Sequence, residues 1–155
     1  MAKSKQDPPS EGADFVYEQP IVTKTSSEAA PIGDAPLTVS TMDFTAVGVC
    51  FGCSSLLHTM GWSSLMTSGL MFGAGTVLTS SVMSLSSAPP TTLREQAEMR
   101  YTQMLGTALW GVSCFGEFCS AKPHRRGLLF SSWLSLPFFL RYYNDYAARS
   151  ELVKW

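Results

Sequence analysis

His58 and Glu117 are the two side chains whose type and position could do chemistry inside otherwise apolar sequence. His58 is the only potential charge between Phe44 and Leu93, a stretch without Lys, Arg, Asp or Glu. An ionisable side chain within a membrane helix is costly unless it is paired or near water, so each one suggests a functional site. We expect His58 and Glu117 to lie at a similar depth as a possible polar pair. The alternative is that Glu117 only satisfies its charge at the interface, with His58, Lys122 or Arg125 as partner.

A basic cluster follows Glu117 closely in the chain and supplies a second candidate site. It consists of Lys122, His124, Arg125 and Arg126. Basic groups at the ends of membrane helices suit anionic lipid headgroups, cardiolipin included. The sequence therefore predicts possible lipid headgroup binding here. A loop that only sets the topology is the alternative interpretation.

The four cysteines form two spaced pairs, Cys50 with Cys53 and Cys114 with Cys119. A four-cysteine zinc site needs all its ligands at one depth. We expect the two pairs to lie at different depths, so we predict no metal site, no disulfide between the pairs and a role as small apolar packing residues.

The sequence has no Gly-rich phosphate loop, no Ser/His/Asp set and no nucleotide fingerprint. We therefore expect no catalytic residues, no cofactor and no enzyme activity. The aromatic residues near the C-terminus are accompanied by too few positive charges for a nucleic-acid surface.

The elements that must position these residues are membrane helices. A single helix over residues 44–93 would be about 75 Å long at ~1.5 Å per residue, against a hydrocarbon core of ~30 Å. The chain must fold back, and Gly61-Trp62-Ser63 is the natural break. We predict an all-α membrane protein with about four transmembrane helices in two hairpins. The expected spans are residues 44–60, 64–86, 101–119 and 127–143.

Local signals place the ends of these spans. Thr41-Met42-Asp43 resembles a helix N-cap region, and Pro89-Pro90 ends the second span. A capping signal at residues 91–95 predicts a short surface helix that ends at Arg100.

Paired glycines in the first two spans predict close helix packing. Gly48 and Gly52 form one GxxxG pair, and Gly69 and Gly73 form another. Small residues at this spacing let two helix backbones approach in lipid. The two pairs therefore favour a tight hairpin between the first two spans.

The flanking segments divide the chain into three parts. Residues 1–43 carry more acids than lysines, no Arg and several prolines, which predicts an extended or disordered tail. This tail is neither a signal peptide nor an Arg-rich presequence, so we expect any organelle address to lie in the spans. Residues 44–143 form the helical membrane domain, and residues 144–155 form an interfacial C-terminal tail.

Two stretches resemble the transmembrane protein 14 family. Residues 61–73 (GWSSLMTSGLMFG) resemble the entry to its second helix, and Gly116-Glu117-Phe118, Lys122 and Gly127-Leu128 resemble its third-to-fourth helix junction. The resemblance covers residues 44–141 and implies a small four-helix membrane protein of a mitochondrion or plastid. It also implies a role of the fatty-acid-export type. Glu117 stands where the family usually has a basic residue, and the acidic tail and the 87–100 loop depart from the pattern.

Three functions fit these features. The first is a non-catalytic accessory subunit of a large mitochondrial inner-membrane complex, in the respiratory chain or the ATP synthase, with other subunits and anionic lipids as partners. The second is a small lipid or solute exporter, as the resemblance implies, and the third is an assembly factor. The expected location is the mitochondrial inner membrane, with another organelle membrane as the alternative.

Overall fold

The computed structural model describes residues 37–120 and 125–153, and all regular secondary structure in these ranges is helical. Four helices follow one another: α1 (Thr41–Thr59), α2 (Leu65–Ser87), α3 (Leu93–Ser120) and α4 (Arg126–Leu152). Each helix packs antiparallel to the next, α3 and α4 share the most extensive interface, and α1 also contacts α4. The predicted all-helical fold with four helices is confirmed for the described part of the chain.

Among the described residues, one helix, α2, is long and apolar enough to cross a membrane by length and composition alone. Less than half of its most apolar window is buried inside the bundle, at 39%. Four membrane spans therefore remain a prediction.

At the start of α1, the predicted acidic residue Asp43 is hydrogen-bonded to a serine N-cap. Ser40 is the N-cap, and its backbone N–H donates to Asp43 Oδ2 at 2.8 Å, while its hydroxyl donates to the same oxygen at 2.9 Å. The carboxylate thus satisfies donors at the positive end of the helix dipole. Residues 37–43 belong to the bundle, since Leu37 is buried, so the expected tail ends earlier than residue 43. The rest of that tail, residues 1–36, lies outside the described residues.

The predicted break between the first two helices is confirmed at Gly61. This residue has φ +65°, a left-handed conformation that glycine adopts without a Cβ penalty. The next two backbone N–H groups, of Trp62 and Ser63, donate to Leu57 O at 2.9 and 3.2 Å. Ser64 then caps α2, because its hydroxyl accepts a hydrogen bond from the Thr67 N–H at 3.2 Å.

Two predicted helix boundaries are wrong. The expected short surface helix and third span form one continuous helix, α3, because nothing between Leu93 and Ser120 interrupts it. Likewise α4 continues through Pro137 and past residue 143 to Leu152, so most of the expected C-terminal tail is helical. Tertiary packing explains the extension, since Gln96 near the start of α3 is buried against Arg149 near the end of α4.

The two ends of the bundle differ in composition and are named here after one residue each. The Arg100 end contains the starts of α1 and α3 and the ends of α2 and α4. The Glu117 end contains the 60–64 turn, the end of α3 and the start of α4. Between these ends the core consists of apolar, sulfur-containing and small side chains, with Trp110 stacked on Phe138 at 6.2 Å between ring centroids.

The predicted glycine packing between α1 and α2 is not what the structure shows. A Cβ added at Gly48, Gly52, Gly69 or Gly73 would meet nothing within 4 Å. These glycines point away from the bundle because Gly48 and Gly52 lie two residues, about 200° of helix rotation, beyond the buried Ala46 and Cys50.

Other glycines allow the close helix approaches. A Cβ at Gly75 would lie 2.9 Å from the Phe51 ring, and one at Gly106 would lie 3.3 Å from Leu78 Cγ and 3.5 Å from Ala74 O. Cβ atoms at Gly111 and Gly127 would overlap Ser135 and the Trp62 ring. Helix packing within this chain therefore depends on these four glycines rather than on the GxxxG pairs.

Charged side chains of the described residues lie toward the two ends and leave a charge-free belt between them. None occurs on α3 between Arg100 and Glu117, nor on α4 between Arg126 and Arg141. These intervals correspond to about 24 Å and about 21 Å of helix at ~1.5 Å per residue. Large apolar side chains are exposed on all four helices in the belt: Leu56, Phe72, Val77, Leu105, Val112, Phe115, Phe130, Trp133 and Leu136.

Candidate functional site

Glu117 is the centre of a polar site at the Glu117 end of the bundle. Its Oε1 accepts hydrogen bonds from the backbone N–H of Ser64 at 2.7 Å and from Arg125 Nη1 at 3.2 Å. Its Oε2 accepts from the Ser64 hydroxyl at 3.2 Å. The carboxylate of α3 therefore adds a second cap to the N-terminus of α2, where the helix dipole favours negative charge.

Arg125 connects this carboxylate to the 60–64 turn. Its Nη1 donates to Glu117 and also to Trp62 O, in both cases at 3.2 Å. The Glu117 side chain is 11% exposed and that of Arg125 is 33% exposed, so the ion pair is partly shielded from solvent. Three elements, α2, α3 and the start of α4, thus meet at one charged pair.

His58 lies at the same end of the bundle but on a different set of hydrogen bonds. Its Nδ1 is 3.2 Å from the hydroxyl of Ser68, which is in turn 2.6 Å from that of Ser63. In the described part of the chain, no hydrogen bond joins His58 to Glu117. Both residues lie near the ends of their helices, since α1 ends at Thr59 and α3 ends at Ser120, but their contact as a polar pair is not observed. A joint functional role for the two residues stays a prediction.

A groove between α2 and α3 begins at the Glu117–Arg125 pair. It has a volume of about 790 Å³. Its polar part includes Ser64, Glu117 and Arg125, while Leu70 and Val112 form apolar walls. More of the residues that line this groove are polar than apolar, and the convergence of its polar groups on a charged pair makes it the candidate binding site.

Half of the predicted basic cluster can be placed. Arg125 is engaged with Glu117, and Arg126 is exposed at the first position of α4. Lys122 and His124 lie outside the described residues. Binding of anionic headgroups by this cluster stays a prediction.

All four cysteines are free thiols, and the expectation that the two pairs lie at different depths is wrong, because Cys50 and Cys114 are both buried against Met71. Cys114 Sγ lies 3.3 Å from Met71 Sδ, and Cys50 Sγ lies 3.4 Å from Met71 O. Cys53 is partly buried and Cys119 is exposed. Within residues 37–120 and 125–153, no group of three or more His, Cys, Asp or Glu side chains is placed to hold a metal ion.

A buried ion-pair network at the Arg100 end was not predicted from the sequence. Arg100 Nη1 donates to Asp43 Oδ1 at 3.0 Å and to Gln103 Oε1 at 2.6 Å, and its Nε lies 3.2 Å from Asp145 Oδ2. Its guanidinium carbon lies 5.4 Å from the centroid of the Tyr142 ring. Three helices are thus joined through one arginine.

Burial of Asp43 would raise the pKa of its carboxyl group, but other contacts outweigh that effect. The hydrogen bonds from Ser40 and the charge and hydrogen bond of Arg100 lower the pKa of Asp43 below its ordinary value of 3.8. Asp43 therefore stays ionised at neutral pH. The sequence did hold one signal for this network, since Arg100 and Gln103 lie one helical turn apart on the same face of α3.

The comparisons with known proteins add no relative: no family model, no curated protein and no solved structure matches the chain.

Proposed function

We propose that this chain is a membrane-embedded, non-catalytic accessory subunit of a large complex of the mitochondrial inner membrane, in the respiratory chain or the ATP synthase. The observation that carries the proposal is the charge-free belt with its outward apolar side chains. Phe130 and Trp133 on α4 are 66% and 65% exposed, and Val112 on α3 is 69% exposed. A surface of this kind is covered by lipid or by apolar partner helices.

The length of the belt supports a membrane setting. About 21–24 Å of charge-free helix is somewhat shorter than a ~30 Å hydrocarbon core. The difference is acceptable because Arg100 is buried and paired, and because flanking arginines can extend toward the interface. Arg141, the residue that ends the belt on α4, is only half-buried.

The accessory role is supported by what the polar groups do. The charges of Asp43, Arg100 and Asp145 join helices to one another, and the Glu117–Arg125 pair caps α2. Side chains committed in this way hold a scaffold together. Partner subunits are proposed to cover part of the apolar belt, and anionic lipids are proposed to meet Arg126 and the adjoining basic residues.

A small exporter of lipids or solutes, of the transmembrane protein 14 type, is the second candidate. The groove between α2 and α3 favours it, because a transported amphiphile needs an apolar path with a polar end. An assembly factor is a further candidate, and it would share the apolar belt.

Migration on a native gel after extraction in a mild detergent tests the proposal. An accessory subunit is expected to co-migrate with a large respiratory or ATP synthase assembly. Migration alone or as a small oligomer would contradict that role and favour the exporter. Co-migration only with incomplete assembly intermediates would instead favour the assembly factor.

A further inference from the structure

The groove between α2 and α3 has a charge balance that selects among amphiphilic ligands. Its polar end holds one carboxylate, Glu117, and one guanidinium, Arg125, which lie 3.2 Å apart. An anion bound by Arg125 would add a second negative charge beside Glu117, and a cation bound by Glu117 would add a second positive charge beside Arg125. A ligand with both charges can engage both side chains and keep the site neutral.

Both side chains of the pair retain hydrogen-bonding capacity toward such a ligand. A carboxylate offers about four acceptor sites, and the contacts of Glu117 with Ser64 and Arg125 occupy three of them. The fourth, on Oε2, can accept from an ammonium group. A guanidinium has five N–H donors, of which the donors on Nη1 serve Glu117 and Trp62. The Arg125 side chain is 33% exposed, so its remaining donors can reach a phosphate.

The position of the polar pair matches that of a lipid headgroup. Glu117 and Arg125 lie at one edge of the charge-free belt. The apolar walls at Leu70 and Val112 lie about 8 Å deeper, five or six residues along α2 and α3. A headgroup at the pair would thus direct its acyl chains along the apolar walls and into the belt.

We propose that this groove binds a zwitterionic glycerophospholipid with a primary ammonium headgroup, of the phosphatidylethanolamine class. Its phosphate accepts from Arg125, and its ammonium donates to Glu117 Oε2. A quaternary ammonium has no N–H to donate, so phosphatidylcholine binds more weakly. The inference rests on the proposed membrane setting, but it concerns the ligand of the groove rather than the partner complex.

Competition between lipids measured by native mass spectrometry tests this inference. The full chain in non-ionic detergent is incubated with equal amounts of phosphatidylethanolamine, phosphatidylcholine, phosphatidylglycerol and oleate, with matched acyl chains. We expect phosphatidylethanolamine to be retained about tenfold more than phosphatidylglycerol, the effect of one charge-assisted hydrogen bond. Phosphatidylcholine should fall between them. Preference for phosphatidylglycerol or oleate, or equal retention of all four, would overturn the proposal.

Three variants locate the effect. Glu117→Gln should remove the preference for phosphatidylethanolamine over phosphatidylglycerol, because Arg125 is then no longer balanced by a carboxylate. Glu98→Gln is the matched control, since its ion pair with Arg94 lies at the other end and is exposed. Val112→Trp fills the groove without touching the charged pair and should reduce retention of every lipid, with helicity unchanged. An unchanged lipid profile in Glu117→Gln or Val112→Trp would contradict the assignment.

Extraction of the membranes with alkaline carbonate separates the two proposals. Release of the chain without detergent would contradict the membrane setting itself. A chain that stays in the membrane and shows no headgroup preference would overturn only the lipid assignment.

Discussion

The most consequential single residue of the bundle is Arg100, because three helices depend on its guanidinium. It is 3% exposed and contacts Asp43 on α1, Gln103 on α3 and Asp145 on α4. The sequence places it only at the end of a predicted surface helix, because neither ion-pair partner is near it in the chain. Asp43 lies 57 residues away, a separation that only the tertiary structure brings together.

Removal of the Asp43 carboxylate should destabilise the bundle strongly. Asp43→Ala leaves Arg100 buried with one anionic partner fewer, which costs about 3 kcal/mol in the free energy of unfolding. The matched control is Glu98→Ala, which breaks an ion pair whose side chains are 68% and 60% exposed and should cost under about 0.5 kcal/mol. Unfolding of both variants by denaturant in detergent gives the comparison. Equal losses would mean that the network is not what holds the Arg100 end.

The same carboxylate gives the stability a defined pH dependence. The pKa of Asp43 is lower in the folded chain than its ordinary value of 3.8. Its contribution is therefore complete above that value and is lost as the pH falls below it, through the lower folded pKa. We expect the unfolding free energy of the parent chain to fall below about pH 4, and that of Asp43→Ala to change less. Identical pH profiles for the two would contradict the ion-pair account.

A substitution at Glu117 distinguishes a structural role of this residue from a role that requires its charge. Gln keeps an acceptor for the Ser64 N–H, and the ion pair with Arg125 is partly exposed, so Glu117→Gln should change the unfolding free energy by under about 1 kcal/mol. Assembly into a complex should also be kept. Loss of transport activity in this variant, with folding intact, would contradict the accessory role and support the exporter.

For the helices, the sequence predicts where each one begins or ends better than it predicts which face of each one is buried. Gly61, Pro89-Pro90 and the Thr92–Glu95 cap all lie where helices begin or end. The faces were harder to predict because α1 and α2 are apolar nearly all round, so periodicity could not show which side is buried. The GxxxG spacing therefore predicts the wrong face: its glycines lie on the outer side, and the close helix contacts use Gly75 and Gly106 instead.

A pair of leucine substitutions tests the corrected helix packing. Gly106→Leu places a side chain against Leu78 and Ala74 O and should destabilise the bundle by about 1–3 kcal/mol. Gly73→Leu is the control, because a Cβ there meets nothing within 4 Å and the gain in helix propensity is the same. Thermal unfolding of the isolated chain in detergent distinguishes them. A larger loss for Gly73→Leu would restore the GxxxG pairs as the packing face.

For the whole molecule, composition predicted the class of fold but not the length of its helices. The absence of charges from residues 44–93 predicts helices, and α1 and α2 confirm them; the membrane setting of this stretch stays a prediction. The sequence does not predict the extension of α3 and α4 to the Arg100 end, because the polar residues at 93–100 and 144–152 are typical of surface segments. These segments are helical because they pack on each other, with Tyr101 and Tyr146 in contact at 5.4 Å between ring centroids.

Photolabelling from within the bilayer tests directly whether the bundle is embedded in a membrane. A carbene reagent confined to the lipid phase is applied to membranes that contain the full chain, and the labelled residues are mapped by mass spectrometry. We expect label on outward residues of the belt such as Phe72, Phe115 and Trp133, and none on Arg94 or Glu98 at the Arg100 end. Partner subunits would shield some belt positions but not all four helices. A belt without label, in a chain that alkaline carbonate also releases, would contradict the membrane-embedded bundle.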